Sequence, residues 1–266
     1  FRLMALLIKQ SDVQSFREDG VVILRGVFKE WIDILANGAD FHLNNPSERS
    51  LVHQNEKYQG QFLEDFCNWR RIPEYTDFIF NSNLASIASH LMESKSVQFF
   101  HDHFFYKEAN SGVPTPWHQD MPYYCVKGHQ TVSFWLPLES RQKNVSLRSL
   151  AGSHLLNKEI RPTSWSNNES FYEDSNAFMD MPDSDGYEIK EWETEPGDVI
   201  AFNFKTVHGA NANKDIKMSR ALSFRLLGDD VVYNERPGRT SPNFPGINQQ
   251  NGERLREDWF PTLWSE

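Results

Sequence analysis

The sequence predicts a jelly-roll β barrel preceded by a layer of helices. Three observations carry that expectation. Helical periodicity is confined to the N-terminal third, the rest reads as short strands, and turn signals separate those strands at close intervals.

The elements follow in order. Ser11-Asp12 reads as the cap of a short helix running through Glu18, with Gly20 as its stop signal. Val21-Val22-Ile23-Leu24 reads as a buried strand. From Phe28 to Asn44 the apolar positions Trp31, Ile32, Ile34, Leu35 and Phe41 suit a helix, as does the segment from Ile72 to Met92. Val97 to Tyr106 reads as a strand with Val97, Phe99, His101, His103 and Phe105 on one face. Thr131 to Leu138 alternates: Val132, Phe134, Leu136 and Leu138 form an apolar face, and Thr131, Ser133 and Trp135 a more polar one. Further strands are expected at Val145–Leu150, Tyr187–Glu193, Asp198–Phe204 and Ala221–Leu227. Gly128, Ala151-Gly152-Ser153, Asp185-Gly186, Pro196-Gly197-Asp198 and Gly228-Asp229-Asp230 supply the turns. The polar segments 157–186 and 234–255 read as long loops, and such lengths usually serve function. With no repeat or low-complexity linker, residues 1–266 read as a single domain.

Composition limits the function classes. A 266-residue chain with 39% hydrophobic and 14% aromatic residues can bury a core and is no disordered acidic tail. Thirty-seven acidic against 27 basic residues give a net charge of -10, which argues against a nucleic-acid or anionic-membrane surface. Cys67 and Cys125 provide no disulfide framework and read as reduced thiols. The apolar start Leu3-Met4-Ala5-Leu6-Leu7-Ile8 is too short for a membrane span and lacks a cleavage signal. Met4 reads as the natural start, and the expected location is the cytoplasm. The expected partner is a small-molecule substrate; oligomeric state stays open.

The chemistry centres on Trp117-His118-Gln119-Asp120. In extended chain, residues two apart point to the same side, so His118 and Asp120 can grip one metal from a strand end. His208, which follows the strand at Asp198–Phe204, is the best third ligand. Two imidazoles and a carboxylate on one octahedral face leave three positions open, an arrangement suited to non-haem Fe(II) activating O2 with a co-substrate. A lone His-x-Asp is weak among nine histidines, so context decides. Arg220 opens the next strand, and an arginine fork can hold the distal carboxylate of 2-oxoglutarate at two points.

The chain resembles the phytanoyl-CoA dioxygenase family of Fe(II)/2-oxoglutarate oxygenases over nearly its whole length. The residues carrying this are Phe16-Arg17-Glu18-Asp19-Gly20-Val21-Val22-Ile23-Leu24-Arg25-Gly26, His101-Asp102-His103-Phe104-Phe105-Tyr106-Lys107 and Thr115-Pro116-Trp117-His118-Gln119-Asp120. Val132-Ser133-Phe134-Trp135-Leu136-Pro137-Leu138, Ala151-Gly152-Ser153-His154, Pro196-Gly197-Asp198-Val199-Ile200-Ala201-Phe202, His208-Gly209 and Ser219-Arg220 complete it. The resemblance implies a double-stranded β-helix (cupin-like) with N-terminal helices. It implies His118, Asp120 and His208 as metal ligands and Arg220 as the anchor of 2-oxoglutarate. Trp135 would lie beside that co-substrate, and His103 would line its pocket. The implied reaction is a hydroxylation with Fe(II), 2-oxoglutarate and O2, releasing succinate and CO2.

Three features depart from the family pattern. Ala210 replaces a serine near the co-substrate, Arg220 follows His208 one residue later than expected, and Lys143-Asn144-Val145 replaces an asparagine-glycine turn. Halogenating relatives carry a small residue where this chain has Asp120, so halogenation is not expected.

Other residues keep plainer readings. His154 reads as structural. His101 is equally a pocket-lining or a core histidine. Packing is the better reading for Tyr123 and Tyr124. Arg225 lies opposite Arg220 on a regular strand and is the weaker anchor. Trp165 and Phe171 either close over a substrate or pin their loop, and Arg236 and Arg239 read as solvated. Two alternatives stay open. A cupin-like metalloenzyme without 2-oxoglutarate would not need Arg220 or Trp135, and a non-catalytic jelly-roll binding protein would show an eroded triad. The sequence does not name the substrate: acyl-CoA, amino acid, osmolyte, phosphonate or other natural product.

Overall fold

An eight-stranded antiparallel sheet and a four-stranded one enclose a cavity, while helices pack on the larger sheet's other face. This is the jelly-roll architecture. The computed structural model describes residues 8–54, 60–165, 169–172, 176–213 and 217–265. Met4 and most of the apolar start lie outside the described residues. No helix among them is long and apolar enough to cross a membrane.

The helices are α1 (Gln10–Asp19), α2 (Ile32–Asn44), α3 (Pro73–Asn81) and α4 (Leu84–Met92). The first strands are β1 (Val21–Leu24), β2 (Leu51–His53), β3 (Phe62–Phe66), β4 (Ser96–Lys107), β5 (Thr115–His118), β6 (Val126–Lys127), β7 (Thr131–Pro137) and β8 (Leu147–Leu150). Then come β9 (Glu159–Ile160), β10 (Phe178–Met179), β11 (Ile189–Glu191), β12 (Val199–Phe202), β13 (His208–Ala210), β14 (Ser219–Leu227), β15 (Val232–Tyr233) and β16 (Thr262–Ser265). The large sheet runs β1-β12-β7-β14-β4-β3-β2, with β16 also on β4, and the small one β11-β8-β13-β5.

The alternation read in β7 holds. Val132, Phe134, Leu136 and the following Leu138 enter the helix-side core, and Trp135 faces the cavity. In that core Phe28 meets Phe78 edge-on at 5.0 Å between ring centroids, and Phe78 meets Phe224 at 4.8 Å. Full burial of each such ring contributes about 1.5–3 kcal/mol, which fixes the sheet against the helices.

Four local expectations change. Helix α1 starts at Gln10, and Asp12 lies inside its first turn, accepting the Lys9 N–H at 2.7 Å. It therefore satisfies an orphan donor from the third helical position rather than as N-cap. Gly20 ends the helix as expected, with φ 74° and its N–H on Phe16 O at 3.0 Å. On α2 the buried residues are Leu35, Gly38, Ala39 and His42, whereas Phe41 is 48% exposed. His42 goes inward because both its ring nitrogens have partners, Tyr75 Oη at 3.2 Å and Asp65 Oδ2 at 3.0 Å.

The helix expected over Ile72 to Met92 is two helices. Ser82 breaks it by taking extended backbone and accepting the Leu84 N–H on its hydroxyl at 3.2 Å, local bonding that competes with the helix ladder. Finally, β4 is not regular. Its pairing with β14 jumps from His101 to Phe99 between Arg225 and Leu226, leaving Phe100 as an extra residue. That bulge flips the face: Val97 and Phe99 join the helix-side core, and His103 and Phe105 line the cavity.

Both long polar segments make defined contacts among the described residues. Segment 157–186 contains the parallel pair β9–β10. Arg236, in segment 234–255, is not solvated: it ion-pairs Glu159 at 2.7 Å and donates to the Met121 and Tyr124 carbonyls, each at 2.8 Å.

Candidate metal centre and co-substrate cavity

The two sheets leave between them a cavity of about 520 Å³, within the usual range for small-molecule sites. His118 ends β5, His208 opens β13, and the two are direct cross-strand partners. Asp120 follows His118 by two residues and enters from the same side. His118 Nε2 lies 3.6 Å and His208 Nε2 3.7 Å from Asp120 Oδ1. One potential ligand atom from each residue lies within 4.8 Å of the others, and all three residues are buried.

The hydrogen bonds behind these atoms fix their chemistry. His118 Nδ1–H donates to Pro116 O at 2.8 Å, and His208 Nδ1–H donates to Thr206 O at 2.9 Å. Each bond selects the tautomer that leaves an Nε2 lone pair facing the shared point. Burial, then the neighbouring His118, lowers the His208 pKa to about 3, so this imidazole is neutral, as a ligand must be. Burial acts to raise the Asp120 pKa, but Arg225 and the two histidines outweigh it and hold the carboxyl well below its ordinary range. Its Oδ2 accepts from Ser133 Oγ at 3.1 Å and Arg225 Nε at 3.2 Å, leaving Oδ1 for the metal.

A second chain of contacts leads away from that carboxylate. Arg225 Nη2 reaches His103 Nδ1 at 3.5 Å, His103 Nε2 donates to Glu64 Oε2 at 3.0 Å, and His53 Nε2 donates to Glu64 Oε1 at 2.8 Å. His103 lines the cavity with both nitrogens engaged, stacked between Phe66 and Phe105.

Arg220 stands elsewhere. It leaves β14 on the face opposite Ser219, Ala221, Ser223 and Arg225, which all line the cavity. Its Nε donates to Glu139 Oε1 at 2.8 Å, and Nη1 pairs with Asp40. The expectation that Arg220 anchors a co-substrate is therefore corrected. The one-residue excess after His208 leaves Ser219 at the inward position and turns Arg220 outward, because strand neighbours alternate faces.

The structure also brings in residues the sequence reading missed or set aside. Arg225, the weaker candidate, is the inward arginine. Lys107 continues the inward series His103, Phe105, so its alternation on β4 carried a usable signal. Arg141 carried none: it follows β7 in an irregular turn, and its guanidinium lies over Trp135 at 5.2 Å from the ring centroid. Trp165 meets His118 edge-on at 4.8 Å and Phe171 meets Tyr123 at 5.0 Å, so both loop aromatics wall the cavity. Tyr123 also lines it while exchanging hydrogen bonds with Thr163. His154 is structural, bonded to Arg17 O at 3.1 Å. His101 is fully buried behind Arg225. Arg239 is exposed at the cavity rim, over Phe171 at 4.5 Å.

These residues fit iron and a 2-oxoacid. The donor set of two neutral imidazoles and one carboxylate suits Fe(II). Four buried cavity atoms, Ser219 Oγ, Ser223 Oγ, Arg141 Nε and Arg225 Nη1, have no hydrogen-bond partner among the described residues, and all can donate to an oxygen-rich anion.

Fold and site together define the class, a jelly-roll protein built around the His-Asp-His facial triad of non-haem iron oxygenases. The sequence model described as "Phytanoyl-CoA dioxygenase (PhyH)" matches residues 16–221. The chain belongs to the phytanoyl-CoA dioxygenase family of iron- and 2-oxoglutarate-dependent oxygenases. A protein of Arabidopsis thaliana named phytanoyl-CoA dioxygenase is 27% identical over 165 residues, 59% of this chain and 54% of that one. The matched stretch thus spans about half the length of that relative.

Solved structures with the same fold include the non-haem α-ketoglutarate-dependent carbocyclase SnoK from nogalamycin biosynthesis, with TM-score 0.76, 20% identity and 96% of each chain covered. The epimerase SnoN, in complex with Fe3+, α-ketoglutarate and nogalamycin RO, has TM-score 0.75 and 18% identity over 96% of this chain and 98% of its own. EvdO2 from Micromonospora carbonacea var. aurantiaca, complexed with 2-oxoglutarate, has TM-score 0.62 and 18% identity over 86% of this chain and 94% of its own.

Proposed function

We propose that this chain is an Fe(II)- and 2-oxoglutarate-dependent dioxygenase that hydroxylates a small organic molecule, with release of succinate and CO2. The observation that carries this reading is the convergence of His118 Nε2, His208 Nε2 and Asp120 Oδ1 on one wall of a cavity, with both imidazole tautomers set by carbonyl acceptors. Bound iron and the 2-oxoacid would supply O2 activation. The protein's own residues do the rest. His118, Asp120 and His208 hold the ion on one face and leave the cavity side open. Arg225 and Ser133 keep Asp120 ionised and oriented. Trp165, Phe171 and Tyr123 exclude water from the reacting face.

Residues 1–266 act as one catalytic domain in this reading. Two unpaired cysteines suit a reducing cytoplasm. The substrate enters past Leu51 and Val52, about half exposed at 47% and 54%, and past Phe171 and Arg239. Among the described residues an apolar, aromatic rim with one exposed cation, Arg239, favours a compact natural product over a polyanionic acyl-CoA. SnoK and SnoN, from nogalamycin biosynthesis, support that choice. The test is a panel of small molecules screened for stimulated succinate release by iron-loaded protein. At least one should raise release well above the uncoupled background, and a hydroxylated product should accumulate with it. Intact iron binding with no consumption of 2-oxoglutarate under any condition would overturn the reading in favour of a cupin-like metalloenzyme of another kind.

A further inference from the structure

A buried lysine and a half-buried arginine face the cavity at the Ser219 end of β14, away from the metal ligands. Lys107 is the cross-strand partner of Ser219, is only 7% exposed, and lies with Nζ 4.6 Å from the Phe62 ring centroid. Among the described residues its Nζ has one hydrogen bond, to Thr115 Oγ1 at 3.3 Å. Arg141 gives one Nη2 bond to the Arg220 carbonyl at 2.9 Å and leaves Nε unpartnered. Neither has an ion-pair partner among the described residues. Burial, then the nearby Arg141, pulls the Lys107 ammonium down to about 7, and burial pulls Arg141 down to about 10. Two cations that destabilise each other, beside an unpartnered Ser219 hydroxyl, form a place where an anion relieves both desolvation and repulsion.

The path from the metal to this place is continuous. Ser133 donates to Asp120, Trp135 is the next inward residue on β7, and Arg141 lies over the Trp135 ring. His118, Asp120 and His208 line the same cavity as Trp135, Arg141, Lys107 and Ser219, so a diacid held at its metal end extends within that cavity toward the two cations. We propose that Lys107 and Arg141, with the Ser219 hydroxyl, seat the distal carboxylate of the 2-oxoacid, doing from β4 and the turn after β7 what an arginine at the Ser219 position of β14 would do. This rests on the reading of the chain as a 2-oxoglutarate enzyme. A carboxylate on the primary substrate has the same chemistry, and the experiment separates the two sources.

The experiment is anaerobic calorimetric titration of iron-loaded protein with 2-oxoglutarate and with 2-oxopentanoate, which carries a methyl where 2-oxoglutarate has its distal carboxylate. Wild type should prefer 2-oxoglutarate by about ten- to a hundredfold, the range for charge-assisted bonds. Lys107→Gln and Arg141→Met should each weaken 2-oxoglutarate about tenfold and leave 2-oxopentanoate within about twofold. Lys107→Arg, which keeps the charge if the Gln variant misfolds, should retain most of the preference, and Arg220→Met should retain all of it. Unchanged iron affinity serves as the check on folding. If both neutral variants keep the full wild-type preference, the proposal is overturned and the two cations serve a substrate carboxylate instead. Equal affinity for both oxoacids in wild type also overturns it, with the functional reading intact. Iron binding with no affinity for either oxoacid is a different result, and it removes that reading together with the proposal.

Discussion

Arg225 Nε donates to Asp120 Oδ2 at 3.2 Å, so one carboxylate is divided between an oxygen turned to an arginine and an oxygen turned to two imidazoles. Both side chains are nearly inaccessible, 4% and 5% exposed, so the pair works in a low dielectric where loss of either partner is costly.

The first prediction follows from that pair. In metal-free protein, Arg225→Met strands a buried carboxylate and should cost about 3–5 kcal/mol of stability. A divalent ion at the triad supplies a replacement cation, so saturating Mn(II) should recover part of the loss. Chemical denaturation with and without metal measures both. An identical loss in the two conditions would mean that Arg225 acts through packing alone.

The triad itself gives the second. Replacing His118, Asp120 or His208 with Ala removes one of three protein ligands and should weaken Fe(II) binding by at least about tenfold while abolishing turnover. Anaerobic metal titration of each variant is the check. A variant with wild-type affinity would place that residue outside the centre.

Arg220 provides a contrasting case. It is 11% exposed and bound to Glu139 and Asp40. Arg220→Met should cost about 1–3 kcal/mol of stability by leaving those acceptors underpaired, yet leave iron affinity unchanged. Denaturation curves beside metal titrations separate the two effects, and weakened iron binding would contradict the outward placement.

Glu64 sets an acid limit. Burial acts to raise its pKa, but hydrogen bonds from His103 and His53 outweigh it and lower the carboxyl from 4.5 to about 2. A depressed folded pKa contributes stability above the unfolded value, and that contribution is lost as pH falls from about 4.5 toward about 2. The full difference corresponds to about 3 kcal/mol. Asp65, held low by His42 and Ser47 against the effect of burial, acts in the same direction. Glu64→Gln keeps an acceptor without the charge, so its stability should fall less steeply over this acid range than that of wild type. Parallel slopes in urea denaturation at several acid pH values would remove Glu64 as a contributor.

The metal triad was legible in the sequence because its geometry is local. Two ligands separated by one residue in extended chain must share a side, and a histidine just after a strand can return to it. The alternation of β7 was legible for the same reason, with Trp135 inward and Phe134 in the core. Tertiary structure alone decided which arginine of β14 faces the cavity. That depends on where the strand begins, which pairing with β4 sets, and a shift of one residue exchanges the faces of Arg220 and Arg225. The bulge at Phe100 likewise exists only as a mismatch between two strands, so no period within β4 could show it. Arg141 reaches Trp135 from an irregular turn closed by its bridge to Thr194, a contact 53 residues away in sequence. Local periodicity therefore settled what one strand can do, and long-range pairing settled which side of it faces the cavity.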